Sequence, residues 1–106
     1  MQEATEDRTP YYRLGPDAVI RAVESVGLLP DGRLLPLNSY ENRVYQVGIE
    51  DADPVIVKFY RPQRWTDEQI LEEHGFSLEL AAAEIPLVAP TVIDGRTLHH
   101  HGGFRF

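Results

Sequence analysis

The sequence predicts an α+β fold: a mostly antiparallel five-stranded sheet, one helix inserted between the third and fourth strands, and an extra helix in front of them. Three observations carry this prediction. Val55-Ile56-Val57-Lys58-Phe59-Tyr60 is a β-branched and aromatic run with Pro54 and Pro62 at its ends, which is strand chemistry. Arg43–Ile49 alternates, with Val44 and Gln46 on one face and Tyr45, Val47 and Ile49 on the other, and the polar link Glu50-Asp51-Ala52-Asp53 returns the chain as a hairpin. Thr66-Asp67-Glu68-Gln69 has the Thr-x-x-Gln form of a capping box and starts a long acidic helix reaching about Ala83.

The remaining elements follow in chain order. Residues 1–14 are polar and charged and read as a flexible N-terminal arm, with residues 15–106 forming the folded unit. At Gly15-Pro16-Asp17 a helix starts, because proline suits a first-turn position and aspartate suits the positive end of the helix dipole. Val19, Ile20, Val23 and Val26 keep helical spacing until Gly27 ends it. Leu28–Arg33 reads as a Pro/Asp/Gly turn, and Leu34–Leu37 as the start of an extended segment. After the acidic helix, Pro86 and Pro90 force extended backbone into Thr91–Leu98, where Asp94-Gly95 marks a hairpin turn. Phe104-Arg105-Phe106 then opens another strand, and the chain is expected to stop within it.

Composition narrows the function. A length of 106 residues is one domain, small for an enzyme that must enclose a nucleotide and a second substrate. With 17 acidic against 10 basic residues the formal charge is −7, which argues against nucleic acid and anionic lipid as partners. Cysteine is absent, which excludes disulfides and cysteine-held metals, and the acidic start lacks the basic and apolar regions of a signal peptide. No apolar run approaches membrane-spanning length, so a soluble, cytoplasmic protein is expected.

Lys58 is the residue that points to chemistry. An ammonium inside an apolar strand needs an anionic partner if it is buried, and the helix that follows offers Glu72 and Glu73. By itself the lysine reads more readily as a stem lying on a sheet with its head in solvent, and the two glutamates as a solvated helix face; the strand–helix order and a family pattern reverse this. Glu73 is preferred over Glu72 because Phe76 and Leu80 share its stripe. A strand lysine followed by a helix glutamate, within five strands and an inserted helix, is the arrangement by which the small lobe of a protein-kinase-like fold holds ATP.

At this point longer stretches become recognisable. Leu37-Asn38-Ser39-Tyr40-Glu41-Asn42-Arg43-Val44-Tyr45-Gln46, Val57-Lys58-Phe59-Tyr60-Arg61-Pro62, Arg64-Trp65-Thr66, Gln69-Ile70-Leu71-Glu72-Glu73-His74 and Ala89-Pro90 closely resemble the bacterial stress response kinase A family. That family lies in the aminoglycoside-phosphotransferase and choline-kinase branch of kinase-like folds. The resemblance spans about Pro16 to Phe106. It implies the N-terminal, ATP-binding lobe of a serine/threonine protein kinase that moves the γ-phosphoryl of ATP, with Mg²⁺, to protein hydroxyls during stress. Lys58 then matches the lysine on the α- and β-phosphates, Glu73 its helix carboxylate, and Asn38, Ser39 and Asn42 the loop over the phosphates.

One departure from ordinary protein kinases stands in that loop. No Gly-x-Gly-x-x-Gly precedes the lysine strand, so hydroxyl and amide side chains would have to assist the backbone. Those residues are also ordinary turn formers. No catalytic residue and no metal ligand is assigned in this chain: the family's catalytic and metal-binding residues are expected in a C-terminal lobe beyond Phe106, and the chain alone is expected to be inactive. His99 and His101 share a face but have no third ligand close in sequence, and Trp65 reads as a packing anchor. Exposed lobe surface and an unfinished edge strand lead to the expectation of a dimer. The runner-up functions are the corresponding lobe of a small-molecule kinase, of aminoglycoside, choline or homoserine type, and a non-catalytic binding module.

Overall fold

In a computed structural model, residues 14–37, 42–62, 64–84 and 89–106 are described. The elements run α1 (Pro16–Ser25), β1 (Pro30–Leu37), β2 (Arg43–Ile49), β3 (Ala52–Phe59), α2 (Asp67–Ala82), β4 (His100–His101) and β5 (Phe104–Arg105). The expected N-terminal arm and the loop residues Asn38 and Ser39 fall outside the described residues.

Strands β1, β2 and β3 form one antiparallel sheet in chain order, with Tyr45 opposite Val57 and Val44 opposite Lys58. The predicted alternation of β2 holds: Tyr45, Val47 and Ile49 are buried. They meet Val57 and Phe59 of β3 and the face of α1 formed by Val19, Ala22 and Val23. Pro16 opens α1 and Asp17 sits in its first turn, as expected of a helix whose Gly15 cap has no side chain to offer.

The sheet differs from expectation in three places. First, β1 begins at Pro30, so Asp31-Gly32-Arg33 belongs to a strand and not to a turn. An irregularity between Pro30 and Leu34 absorbs those turn-forming residues opposite Ile49 and Val47 of β2. Second, Thr91–Leu98 does not form a strand. Asp94 and Gly95 both take positive φ, and the turn they make is closed by two backbone bonds between Ile93 and Arg96, but pairing goes no further. Third, the five strands divide into a three-stranded sheet and a separate two-stranded hairpin, β4–β5, turned by Gly102 and Gly103 at positive φ.

That hairpin adjoins the end of β3. The Tyr60 N–H donates to the Arg105 carbonyl at 3.0 Å, and His99 and Phe106 exchange backbone bonds at 2.7 and 2.8 Å. Phe59, fully buried, is the centre of the core this creates: Tyr45 and Phe104 stand edge-on to it at 6.1 and 6.4 Å, and Phe106 lies tilted against it at 5.4 Å. The C-terminal aromatics thus help close the same core that α1 covers.

Helix α2 starts as its sequence dictates. Thr66 Oγ1 accepts from the Gln69 N–H at 3.1 Å, and Gln69 Oε1 accepts from the Thr66 N–H at 2.9 Å, a complete capping box. Its buried positions are Ile70 and His74, and Ile70 packs in a second, smaller core with Tyr60 and Leu98. No helix among the described residues is long and apolar enough to cross a membrane.

Candidate functional site

Because strand side chains alternate, the face of the sheet opposite the core carries Val44, Gln46, Ile56 and Lys58. Leu35 and Leu37 of β1 extend it, Leu35 paired with Gln46 and Leu37 with Val44. It is open: Ile56 is 58% and Leu35 53% exposed. At the end remote from Lys58 lies a shallow depression of about 320 Å³ bordered by Arg33, Leu35, Gln46, Gly48 and Pro54. The Asp31–Arg33 ion pair (2.7 Å) leans over Gly48, where an added Cβ would clash with an Asp31 carboxylate oxygen. The glycine is therefore what lets that pair lie against the strand. The Arg33 guanidinium in turn holds the Asp31 carboxyl below the usual carboxylate range.

At the other end, Lys58 is exposed. Its ammonium lies 5.2 Å from the centroid of the Tyr60 ring, two residues on along the chain and on the same side. The lysine therefore pays no burial penalty that a structural counter-ion must offset, and among the described residues no ion pair within 4.0 Å joins it to a carboxylate. A cation held on an aromatic face at the edge of an open apolar platform is available to an external anion.

Glu73 lies on α2. It borders a depression of about 260 Å³ together with Trp65, Gln69 and Ile70. Its charge acts on Tyr60 and on His74: burial pushes the Tyr60 phenol up to about 12, with Glu73 contributing and Arg105 opposing. Burial holds His74 below its ordinary value, Glu73 working against the shift and Lys58 with it. Lys58 and Glu73 thus address one shared pair of side chains. The reason first found for preferring Glu73 does not survive, since Phe76 is 61% exposed and the inward stripe is Ile70 and His74. Glu73 adjoins that stripe three residues after Ile70, and Glu72 appears in neither of these electrostatic relationships.

Asn42 has a structural contact: its Oδ1 accepts from the Arg61 N–H at 3.1 Å, fastening the end of the β1–β2 connection to the end of β3. Asn38 and Ser39 lie outside the described residues. Trp65 is not a buried anchor. It is 37% exposed, and the Arg64 guanidinium lies over its ring at 4.5 Å.

Sequence reasoning did not identify the polar residues that seat α2. The Tyr60 hydroxyl is 2.7 Å from His74 Nε2, and His74 Nδ1 is 2.8 Å from Thr97 Oγ1. At the helix start, Arg105 donates to the Trp65 carbonyl and to Asp67 Oδ1 (3.0 Å), while His100 Nε2 lies 3.2 Å from Asp67 Oδ2. The hydrogen bond from Arg105 holds the Asp67 carboxyl below its ordinary range, with the His100 and Arg105 charges acting in the same direction. The one available signal was a histidine on the apolar stripe of the helix, four residues after Ile70. Of the histidine triplet, His99 stacks on Phe106 at 5.6 Å and His100 meets Asp67.

Comparison with known proteins gives the family of the chain. A profile of the phosphotransferase enzyme family matches residues 33–106. Stress response kinase A of Escherichia coli (strain K12) is 51% identical over 96 residues, which make up 91% of this chain and 29% of that protein. Its Shigella flexneri namesake is 50% identical over the same extent. The serine/threonine protein kinase RdoA of Salmonella typhimurium (strain LT2) is 47% identical, again over 91% of this chain and 29% of the relative. The chain therefore spans under a third of the length of these relatives. A three-stranded antiparallel sheet followed by a capped helix is consistent with a kinase-like small lobe, and with the match over residues 33–106 the chain belongs to the phosphotransferase enzyme family.

Proposed function

We propose that this chain is the ATP-binding lobe of a bacterial serine/threonine protein kinase, active on protein hydroxyls in a stress response in the cytoplasm. The observation that supports it best is the open apolar face ending in Lys58. An adenine ring can lie on Leu35, Val44 and Ile56, and the ammonium on the Tyr60 ring can meet phosphate oxygens. Glu73 acts with Lys58 through their shared neighbours Tyr60 and His74, and Asn38, Ser39 and Asn42 flank the phosphates. The acceptor class is taken from the names of the relatives, above all the Salmonella serine/threonine protein kinase.

Phosphoryl transfer needs charge neutralisation on the phosphates, which Mg²⁺ supplies when bound. Among the described residues no group of three His, Asp or Glu side chains is placed to hold a cation. Because the chain spans 29% of the length of its Escherichia coli relative, Mg²⁺ ligation and the catalytic groups are assigned to the rest of the whole protein, and this chain is given only the work of binding and orienting. The same lobe surface, in isolation, is proposed to pair two copies of the chain.

The test is nucleotide titration of this chain followed by the fluorescence of Trp65, its single tryptophan. Saturable binding of ATP, weakened at least about tenfold by Lys58→Ala, is expected. Equal affinity in the variant would remove Lys58 from the site. In the same preparation, Mg²⁺-dependent phosphorylation of itself or of a generic protein is expected to be undetectable, and turnover from the chain alone would contradict the division of labour proposed here.

A further inference from the structure

We propose that Tyr60 is a positioning residue that ties the strand carrying Lys58 to the helix carrying Glu73, its ring supporting the lysine ammonium and its hydroxyl docking on His74. The functional part of this inference rests on the nucleotide reading above.

Three contacts carry it. The Lys58 ammonium stands over the Tyr60 ring at 5.2 Å. The Tyr60 hydroxyl is 2.7 Å from His74 Nε2, with the two rings 6.0 Å apart. His74 Nδ1 is 2.8 Å from Thr97 Oγ1, in the segment that leads to β4. Both ring nitrogens of His74 are therefore engaged, and its ring orientation is set from two sides. The chain of contacts runs from β3 through Tyr60 to α2 and on to Thr97.

Most of this chain is shielded from water. Tyr60 is 6% and His74 8% exposed, and His74 is the buried polar residue among the described ones. A neutral imidazole satisfies both contacts with one proton, one nitrogen donating and the other accepting. Burial, which holds the phenol in its protonated form and the imidazole in its neutral form, keeps this arrangement in place at neutral pH. No other described polar contact joins β3 or the residue after it to the middle of α2, so a displacement of Tyr60 is expected to move Lys58 and Glu73 relative to each other.

A residue that merely filled space would affect all ligands alike, whereas a positioning role confined to the phosphate end would not. The experiment therefore compares ATP with adenosine for wild type, Lys58→Ala, Tyr60→Phe and Tyr60→Leu. It adds proton spectra of the Lys58 side chain and hydrogen exchange of the α2 amides. Tyr60→Leu is expected to weaken ATP about three- to tenfold and to leave adenosine unchanged, since the supported cation is lost but the apolar face is not. Tyr60→Phe keeps the ring and is expected to speed exchange of the amides around His74 while the ring-shifted Lys58 resonances move. If Lys58→Ala weakens ATP but neither Tyr60 variant does, the positioning role is wrong and the nucleotide reading stands. If Lys58→Ala changes nothing, or the chain binds neither ligand, the nucleotide reading fails, and the spectra and exchange still decide the tether. Unshifted Lys58 resonances in wild type, or α2 exchange indifferent to Tyr60→Phe, would overturn it.

Discussion

The Tyr60 hydroxyl and His74 Nε2 meet at 2.7 Å beneath helix α2, making a buried polar link between two residues that a pattern of apolar spacing assigns simply to strand and helix interior. Removing either partner strands the other. His74→Leu leaves a phenol without its partner in the second core, and a destabilisation of about 1–3 kcal/mol is expected. Replacing both partners, as in Tyr60→Phe with His74→Leu, should cost less than the sum of the single changes, because the phenol is then no longer left unsatisfied, while the Thr97 hydroxyl loses its His74 contact equally in the single His74 variant and in the pair. Urea unfolding of the three variants measures this, and simple additivity would contradict the link.

Acid should weaken the fold through His74 before it reaches the carboxylates. The folded-state value of this imidazole lies below its ordinary 6.5, mainly through burial, with Lys58 assisting and Glu73 opposing; Tyr60 and Thr97 are its neutral neighbours. Below 6.5 the unfolded chain thus binds more protons than the native one. The stability contributed by neutral His74 is complete above 6.5 and is lost as pH falls from there through the depressed folded value. His99, also lowered by burial and by Arg96, acts in the same direction. Asp67, held down by Arg105, contributes in a separate window beginning near its ordinary 3.8. The urea midpoint measured from pH 8 to pH 5 should fall, and His74→Gln should flatten part of that slope; an unchanged slope would place the titration elsewhere.

How much of this was legible depends on how far apart the interacting residues stand. The capping box at Thr66 and Gln69 and the alternation of Arg43–Ile49 are local chemistry and are found as read, and Asp94-Gly95 makes its turn but without the hairpin strands expected around it. The family and the α+β class were legible too, from runs such as Val57–Pro62. The strand start at Pro30 was not, because Asp31 and Gly32 are turn formers that only pairing with β2 draws into a strand. Tyr60–His74 and His74–Thr97 are separated by 14 and 23 positions, and nothing in spacing marks such partners. Glu73 was chosen on an apolar stripe that turned out to face solvent at Phe76, which shows how little a uniformly apolar-dotted helix reveals about its buried side.

Phe59→Ala should be the most damaging single change among the core positions. Its ring is fully buried and touches aromatics from β2, from β5 and from the last residue of the chain, so truncation leaves a cavity that three separate elements line. A loss of about 3–5 kcal/mol is expected. For a domain of this size that is a large share of the total. Thermal melting followed by far-UV circular dichroism tests it, and a loss near 1 kcal/mol, as for a surface site, would mean that the C-terminal aromatics do not close the core.

Thr66→Ala removes the acceptor for the Gln69 N–H and breaks the reciprocal pair, so α2 should lose about 1 kcal/mol. Because Asp67 and Arg105 still pin the first turn to the hairpin, the helix should fray but not detach. Hydrogen exchange should therefore quicken at residues 67–70 and stay slow near His74. Uniform acceleration along the helix would show that the cap, and not the Tyr60–His74 link, holds α2 in place.

Lys58→Ala should separate function from stability. The residue is exposed, and what it loses within the fold is one contact with the Tyr60 ring, worth about 0.5–1 kcal/mol at an exposed site. A structural lysine offsetting a buried carboxylate would cost several times that, because truncation would leave the carboxylate unpaired in the interior. In the whole protein the same change should lower turnover about a hundredfold or more if the ammonium stabilises charge developing on the transferred phosphoryl. Urea unfolding and a phosphorylation assay on one preparation give both numbers. A large stability loss would make Lys58 a structural residue after all, and full turnover with intact stability would move the phosphate contact to another cation on the same face, of which Arg33 is the nearest in kind.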